Sequence, residues 1–479
     1  MSVVLLESLR AWWPELILGA GALLVMLLGV CARRQTPSLV VTWLTLFASA
    51  IALWHVPMPP RTDIFFGLIV CDAFSLAFRW VALLTVGIVV LLVMGSREMP
   101  AVLRGESLGL LLFIAVGLML MAEAAHLLMA YLAMELVSLS AYVLVGFLRD
   151  ARGAEASLKY LLFGALASGV MLFGMSLLFG ITGTLAFSEI LASLAGVSGA
   201  LAGALLVAVA LLLAGLAFKI SMVPFHMWTP DAYEGAPIPV TALLSVGPKA
   251  AGVALLVRLT AALQPAWPAL GPLMLSLAVV TMTVGNLVAL VQTNVKRLLA
   301  YSTIGQVGYL LIGFSVKTPL GLKALILYVV AYLLMNLGAF ACVVAVVDGT
   351  GDESLQAFRG LAKRAPGLAL CCTLFLLSLA GLPPLLGFVG KFLLFGSALE
   401  AHQAWLAVAG IVNSAIALYY YVNLMRLMYL VAPGDPGPLP ASAPLRVALV
   451  LCTAGTLLLG VFPGPLLSAI NAMGVSNLL

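Results

Sequence analysis

Apolar residues run along this chain in blocks too long for a strand or an ordinary core helix. Runs of about 18 or more such residues mark helices that cross a bilayer. Fourteen are predicted, at about 14–31, 39–56, 70–94, 107–123, 126–148, 155–182, 199–227, 238–260, 268–292, 297–315, 321–347, 366–399, 403–431 and 445–471. The sixth, seventh and twelfth exceed the roughly 20 residues that one crossing needs. Tilt accounts for the sixth. Proline cannot continue a helix unbent, so Pro224 is expected to break the seventh span and Pro383-Pro384 the twelfth.

The polar residues between the runs set an orientation. With fourteen spans the loops alternate sides. One side carries Arg33, Arg34, Arg97, Arg104, Arg149, Arg152, Lys296, Arg297, Arg359, Lys363, Arg364 and Arg446. The other carries Arg10, Arg61, Lys317 and Lys323. The positive-inside rule puts the richer side in the cytoplasm, so both termini are expected in the periplasm of a bacterium, with the chain in its inner membrane. No loop is long enough for a soluble catalytic domain.

Composition agrees with the pattern. The 479 residues are 64% hydrophobic and 9% charged, where a soluble chain carries about 25% charged residues. The net charge of +5 forms no basic stripe, so nucleic acid is not an expected partner. Six cysteines lie in or beside apolar segments without CxxC or Cys/His spacing, which predicts no metal site and small-residue packing instead. Glu7, Arg10 and Glu15 precede an apolar run too long for a cleaved signal, so the first helix is expected to be retained.

The two predicted breaks suggest a repeat. Spans four to eight contain LAGLAFKISMVPFH and spans nine to thirteen contain LAGLPPLLGFVGKF, each with a lysine within about eight residues of its prolines. Five is odd, so consecutive five-helix blocks have opposite topology, the inverted-repeat logic of transporters. The expected fold is therefore an all-α integral membrane protein of about 14 transmembrane helices with two inverted five-helix repeats, each containing a broken helix. It forms one membrane domain: helices one to three over 1–104, the repeats over 105–262 and 263–432, and helix fourteen over 433–479.

Seven basic residues fall within predicted spans: Arg79, Lys159, Lys219, Lys249, Arg258, Lys391 and Arg426. One carboxylate does so clearly, Glu135. A charge at mid-span costs roughly 2.5–3.5 kcal/mol, so four lysines and a glutamate together cost on the order of 10 kcal/mol. Such a cost points to function. Lysine changes charge state on burial and near carboxylates, which suits a proton relay, and helix breaks supply the hydration it needs. The candidates are Glu135, Lys159, Lys219, Lys249 and Lys391, with His226 beside the first break as a gate or relay. Arginine does not release its proton, so Arg79, Arg258 and Arg426 are expected to be structural or lipid-facing. Asp72 is expected to cap the third helix. Helix rise leaves Glu135 and Lys159 about 13 Å apart in height, so a direct pair does not follow.

These segments resemble a known family. FKISMVPFHMWTPDAYEGAPIPVTALLSVGPKAAG, ALVQTNVKRLLAYSTIGQVGYLL and SLAGLPPLLGFVGKFLLF are similar to the antiporter-like membrane subunits of bacterial respiratory complex I, the proton-translocating NADH:quinone oxidoreductase. The similarity covers nearly the whole chain and is closest to the subunit N branch. The related M and L branches and the cation/proton antiporter subunits usually read nearer to PFHxWLPDA, where PFHMWTPDA stands here. Lys391 also argues against the M branch, whose residue there is typically glutamate.

The resemblance implies roles. Glu135 and Lys159 would be the helix-five and helix-six pair, Lys219 the central lysine, Lys249 the connecting lysine and Lys391 the exit-side lysine. It implies that redox energy released elsewhere in the complex drives proton pumping here, making the chain a non-redox subunit of a translocase. It implies partners among the other antiporter-like and small hydrophobic membrane subunits. FMN, iron–sulfur clusters, NADH and quinone would sit in other subunits, with no cofactor in this one. Two alternatives remain, a subunit of a multisubunit cation/proton antiporter and the membrane arm of a related hydrogenase. A sodium path would need oxygen ligands, and a lysine-rich axis repels cations, which favours protons.

Overall fold

The computed structural model describes residues 8–31, 36–56, 62–100, 103–194, 200–433 and 437–473. The helices are α1 (Trp13–Cys31), α2 (Thr36–His55), α3 (Ala73–Gly95), α4 (Arg104–Glu123), α5 (Leu127–Val145), α6 (Ala151–Thr182), α7 (Phe187–Leu194), α8 (Ala200–Ile220), α9 (Trp228–Gly235), α10 (Ile238–Ala262), α11 (Trp267–Ala289), α12 (Val295–Ser315), α13 (Pro319–Thr350), α14 (Leu361–Arg364), α15 (Pro366–Ala380), α16 (Leu386–Glu400), α17 (Ala404–Leu430), α18 (Ala443–Val461) and α19 (Gly464–Ala472). Thirteen helical stretches among the described residues are long and apolar enough to cross a membrane. The shorter pair α15 and α16 makes the remaining crossing as two half-helices.

Several expected boundaries move for local reasons. The third helix starts at Ala73 rather than near residue 70, because Ile69–Cys71 pairs with Thr62–Ile64 in a two-stranded antiparallel hairpin. Asp72 caps it, accepting from the Ser75 amide at 2.8 Å while Ser75 Oγ accepts from the Asp72 amide. The fourteenth run divides into α18 and α19, with Pro463 between them where a helix cannot pass unbent.

The helices sort by burial. All of α10 in its apolar window is buried, and nearly all of α12 and α13, whereas α1, α2, α6 and α18 bury a third or less of theirs. A helix apolar on every side has no wet face, so α10, α12 and α13 are the natural inner row and the others meet lipid or further protein. Close approach to that row uses glycine. A Cβ at Gly285 would lie 2.4 Å from the Gly305 amide nitrogen, and one at Gly308 would lie 2.5 Å from that of Met282, so α11 and α12 touch backbone to backbone.

The internal repeat has a clear register. His126 and Asn294 each cap the start of a helix with their own side chain, 168 positions apart. His126 bridges to Ala186, and Asn294 to Ser354, again 168 apart at both ends. The 32-residue helices α6 and α13 follow Asp150 and Thr318 caps and end on left-handed Gly183 and Gly351, at the same spacing. Five crossings separate equivalent positions, so the two halves run in opposite directions.

Both breaks repeat as well, now 160 positions apart. Ser221 ends α8 and Gly381 ends α15, each in the left-handed region. The Met222 amide reaches back to Ala217 O (2.8 Å) and the Leu382 amide to Leu377 O (3.0 Å), the closing bond of a helix C-terminus. The peptide bonds Val223-Pro224 and Pro383-Pro384 are both cis. Lys219 and Lys391 are not register equivalents: one precedes its break and the other follows its own.

The charged loops of one face form a network. Arg152 bonds Glu234 and Glu353, each at 2.9 Å, while Lys296 Nζ bonds Glu353 (2.7 Å) and Ala236 O (3.0 Å). Arg297 bonds Asp231 and Glu234. This basic face thus clamps α9 of the first repeat to α12 of the second.

Candidate functional site

The site is a line of polar groups through the buried row, starting at α5. Lys219 sits two residues before the first break, fully buried, where the ending helix frees carbonyls. Its Nζ donates to Ser138 Oγ at 2.9 Å and to Met134 O at 3.3 Å, both on α5. Glu135 lies one turn from Ser138, so this turn joins the carboxylate to the lysine. Glu135 Oε1 accepts a short hydrogen bond from Ser168 Oγ on α6, and its side chain is half-buried on the outer side of the bundle.

Lys159 does not pair with Glu135. Its Nζ bonds Glu155 at 2.8 Å and Asp231 at 3.2 Å, and 43% of its side chain is exposed. The roughly 13 Å height difference expected along the hairpin leaves each group with a nearer partner.

Gly252 brings the next lysine close. A Cβ there would meet Ile220 Cγ2 at 2.4 Å and Lys219 Cγ at 3.9 Å, so α8 lies directly on α10. Lys249 stands one turn earlier on α10, fully buried beside Pro248. Its Nζ has no hydrogen-bond partner and lies 4.6 Å from the Trp228 ring centre and 5.4 Å from that of Tyr233, a cation–π seat. Tyr160 stacks on Trp228 with ring centres 4.2 Å apart. The hydroxyls of Tyr160 and Tyr233 and Asn336 Oδ1 are also buried without a protein partner, the kind of groups that bridging waters satisfy.

From Lys249 the line crosses into the second repeat on uncharged groups. Ser245 is one turn before Lys249. Its hydroxyl accepts from Asn336 Nδ2 (2.6 Å) and its carbonyl from the Tyr332 hydroxyl (3.0 Å), which also lies 2.9 Å from Thr303 Oγ1. One turn further along α12, Gln306 Oε1 accepts from the Tyr328 hydroxyl, and Gln306 Nε2 donates to Leu379 O at 3.2 Å. Leu379 O also accepts from Lys391 Nζ at 2.9 Å. Lys391 completes the line with Ala380 O (3.2 Å), Ser414 Oγ (3.2 Å) and the face of Tyr309 at 4.1 Å. Here the second break is plainly useful: α15 ends at Ala380, and its last carbonyls hold the lysine.

The structure therefore brings Glu135, Lys219, Lys249 and Lys391 onto one path, with Lys159 at its outer edge near the basic face. His226 is half-buried at the first break, its Nδ1 without a partner, and contributes no bond to the path. Ser138, Ser245, Thr303, Gln306, Tyr328, Tyr332 and Asn336 were not anticipated. The available signal was amides and hydroxyls within apolar spans, which a search for charges overlooks.

The basic residues outside the path have plain roles. Arg258 is buried and holds Asp72 through both terminal nitrogens (2.6 and 3.0 Å), so it does not face lipid. Arg79 is buried between Glu15 and Glu123. Arg426 is exposed and among the described residues bonds Asn423; it is the one of the three that lies on the outer surface.

Known proteins resemble this chain in sequence and fold. Residues 124–417 match the family described as NADH:quinone oxidoreductase/Mrp antiporter, TM. The chain is 45% identical to NADH-quinone oxidoreductase subunit N 2 of Sorangium cellulosum and 42% identical to NADH-quinone oxidoreductase subunit N of Anaeromyxobacter, covering 96% of each protein and 96% of this chain. Among solved structures, it is similar to a chain of respiratory complex I from Thermus thermophilus, with a TM-score of 0.82 and 34% identity over 95% of this chain and 99% of that one. A chain of the Mrp complex from Dietzia shares the fold at a TM-score of 0.87 and 23% identity, covering 98% of this chain and 97% of that one. The chain belongs to the NADH:quinone oxidoreductase/Mrp antiporter transmembrane family, in its subunit N branch.

Proposed function

We propose that this chain is a proton-translocating, non-redox subunit of NADH:quinone oxidoreductase, and that the polar line from Glu135 to Lys391 carries the protons. The observation that carries the reading is the run of three buried lysines, none bonded to a carboxylate, with buried hydroxyls, amides and freed carbonyls set between them across both repeats. A buried lysine lacking a counter-ion answers to any charge moved beside it, so displacing one proton shifts the next. Electron transfer from NADH to quinone belongs to other subunits in this reading, along with FMN and the iron–sulfur clusters.

The half-exposed Glu135 sits among the exposed apolar side chains Leu132, Leu139 and Val143. A carboxylate is costly there, which supports a neighbouring membrane subunit packed on the α5–α6 surface. Positive-inside counting supports the basic face as cytoplasmic in a bacterial inner membrane.

The test is NADH-driven proton pumping in inverted membrane vesicles with Lys219→Ala against wild type, following NADH oxidation and assembly in parallel. Loss of pumping and turnover in an assembled complex is the expected result. Unchanged pumping refutes the relay. Collapse of sodium/proton exchange with NADH-driven pumping intact would replace it by the antiporter reading.

A further inference from the structure

Glu15 on α1, Arg79 on α3 and Glu123 at the end of α4 meet near the membrane face opposite the basic loops. Each is 1% exposed. Arg79 Nε donates to Glu15 Oε1 at 2.7 Å, and Arg79 Nη2 donates to Glu15 Oε2 (2.5 Å) and Ala11 O (2.9 Å). Glu123 Oε1 lies 2.5 Å from the same Nε. That nitrogen carries a single hydrogen, so two carboxylate oxygens converge on one donor. Glu123 Oε2 is buried with no hydrogen-bond partner.

Charge counting sharpens the conflict. Two carboxylates face one guanidinium. Among the described residues, the other charged or titratable groups that act on the cluster are Cys71, 3.7 Å from Arg79 Nη1, and the Asp72–Arg258 pair, which is neutral in itself. With both glutamates ionised, a whole negative charge stays uncompensated in a buried site, which is strongly unfavourable. Two carboxylate oxygens held within 2.7 Å of one nitrogen repel each other when both are charged, and one proton held between them removes the excess.

We propose that Glu15 and Glu123 share one proton over Arg79, forming a proton-binding site outside the lysine line. The proton comes from the medium and makes the cluster neutral, which lets α1 dock on α3 and α4 through buried polar groups. The site stands apart from the relay, so its failure leaves the relay reading intact.

Infrared spectroscopy on the purified complex containing this chain tests the site directly. The wild-type spectrum minus that of Glu15→Gln should show one protonated carboxylic acid carbonyl band that shifts in deuterium oxide. The same band should be lost in Glu123→Gln, because either glutamine leaves a single carboxylate that pairs with Arg79 ionised. Arg79→Met should gain one further carboxylic acid per chain. Loss in only one glutamine variant means that in the other variant the remaining carboxyl keeps its proton beside Arg79 without its neighbour, and overturns the sharing. Loss in neither, or a gain of two acids in Arg79→Met, means that both glutamates are ionised and overturns the site. Arg79→Met also decides the matter should a glutamine variant fail to assemble.

Discussion

Replacing Gln306 by leucine should cut the path at its uncharged middle. Gln306 is 1% exposed and joins Tyr328 to Leu379 O, the carbonyl shared with Lys391. Leucine has nearly the same volume and no polar atom. It leaves the Tyr328 hydroxyl without an acceptor, while Leu379 O keeps Lys391. One orphaned buried group costs about 1–3 kcal/mol, small enough for the complex to assemble. The same loss placed on the proton-transfer barrier slows that step roughly fivefold to 150-fold, since each 1.4 kcal/mol is about tenfold. The assay is the initial rate of NADH-driven acidification of inverted vesicles, normalised to assembled complex. Glutamate at this position keeps an acceptor for Tyr328 and should restore more transfer than leucine does. Wild-type pumping in an assembled Gln306→Leu complex would refute the route through Gln306.

Four further outcomes follow from named contacts. Lys159→Met removes two exposed ion pairs worth about 1 kcal/mol or less, so heat stability should barely change while pumping falls; loss of assembly would contradict this. Asp72→Asn strands the buried Arg258 charge at a cost of about 3–5 kcal/mol, and Asp72→Leu with Arg258→Met should recover much of it, as read by thermal dissociation of the purified complex. Gly285→Val must separate α11 from α12 and block assembly, whereas Gly19→Ala, with nothing within 4 Å of its added carbon, should behave as wild type. Burial alone would raise the Glu353 carboxyl, but Lys296 and Arg152 beside it hold it below its ordinary value. A carboxyl lowered in the folded state stabilises above its unfolded value and loses that contribution as pH falls through the folded one. Acid unfolding should therefore be less steep in Glu353→Gln than in wild type.

Much of this architecture is legible in the order of residues. Length of apolar run counts crossings because a bilayer core has a set thickness, and Pro224 and Pro383-Pro384 mark breaks because proline lacks an amide hydrogen. The lysines stood out because charge in hydrocarbon is costly. The middle of the path did not, because Thr303, Gln306, Tyr332 and Asn336 carry no charge and look like tolerated polar residues in apolar helices. Arg79 shows the same limit from the other side. Its depth was evident, but Glu15 and Glu123 lie on two other helices, 64 and 44 positions away in the chain.

The sequence by itself determined what must be buried in the membrane and where the backbone must break, because hydrophobic transfer and proline geometry act on a residue and its immediate neighbours. Tertiary structure alone decided who meets whom. It gave Lys159 to Asp231 rather than Glu135, left Lys249 on the faces of Trp228 and Tyr233, and set one carbonyl, Leu379 O, between Gln306 and Lys391. Those partners come from helices far apart in the chain, and which faces touch is settled by small-residue packing at positions such as Gly252 and Gly285, where the absence of one carbon lets two backbones close.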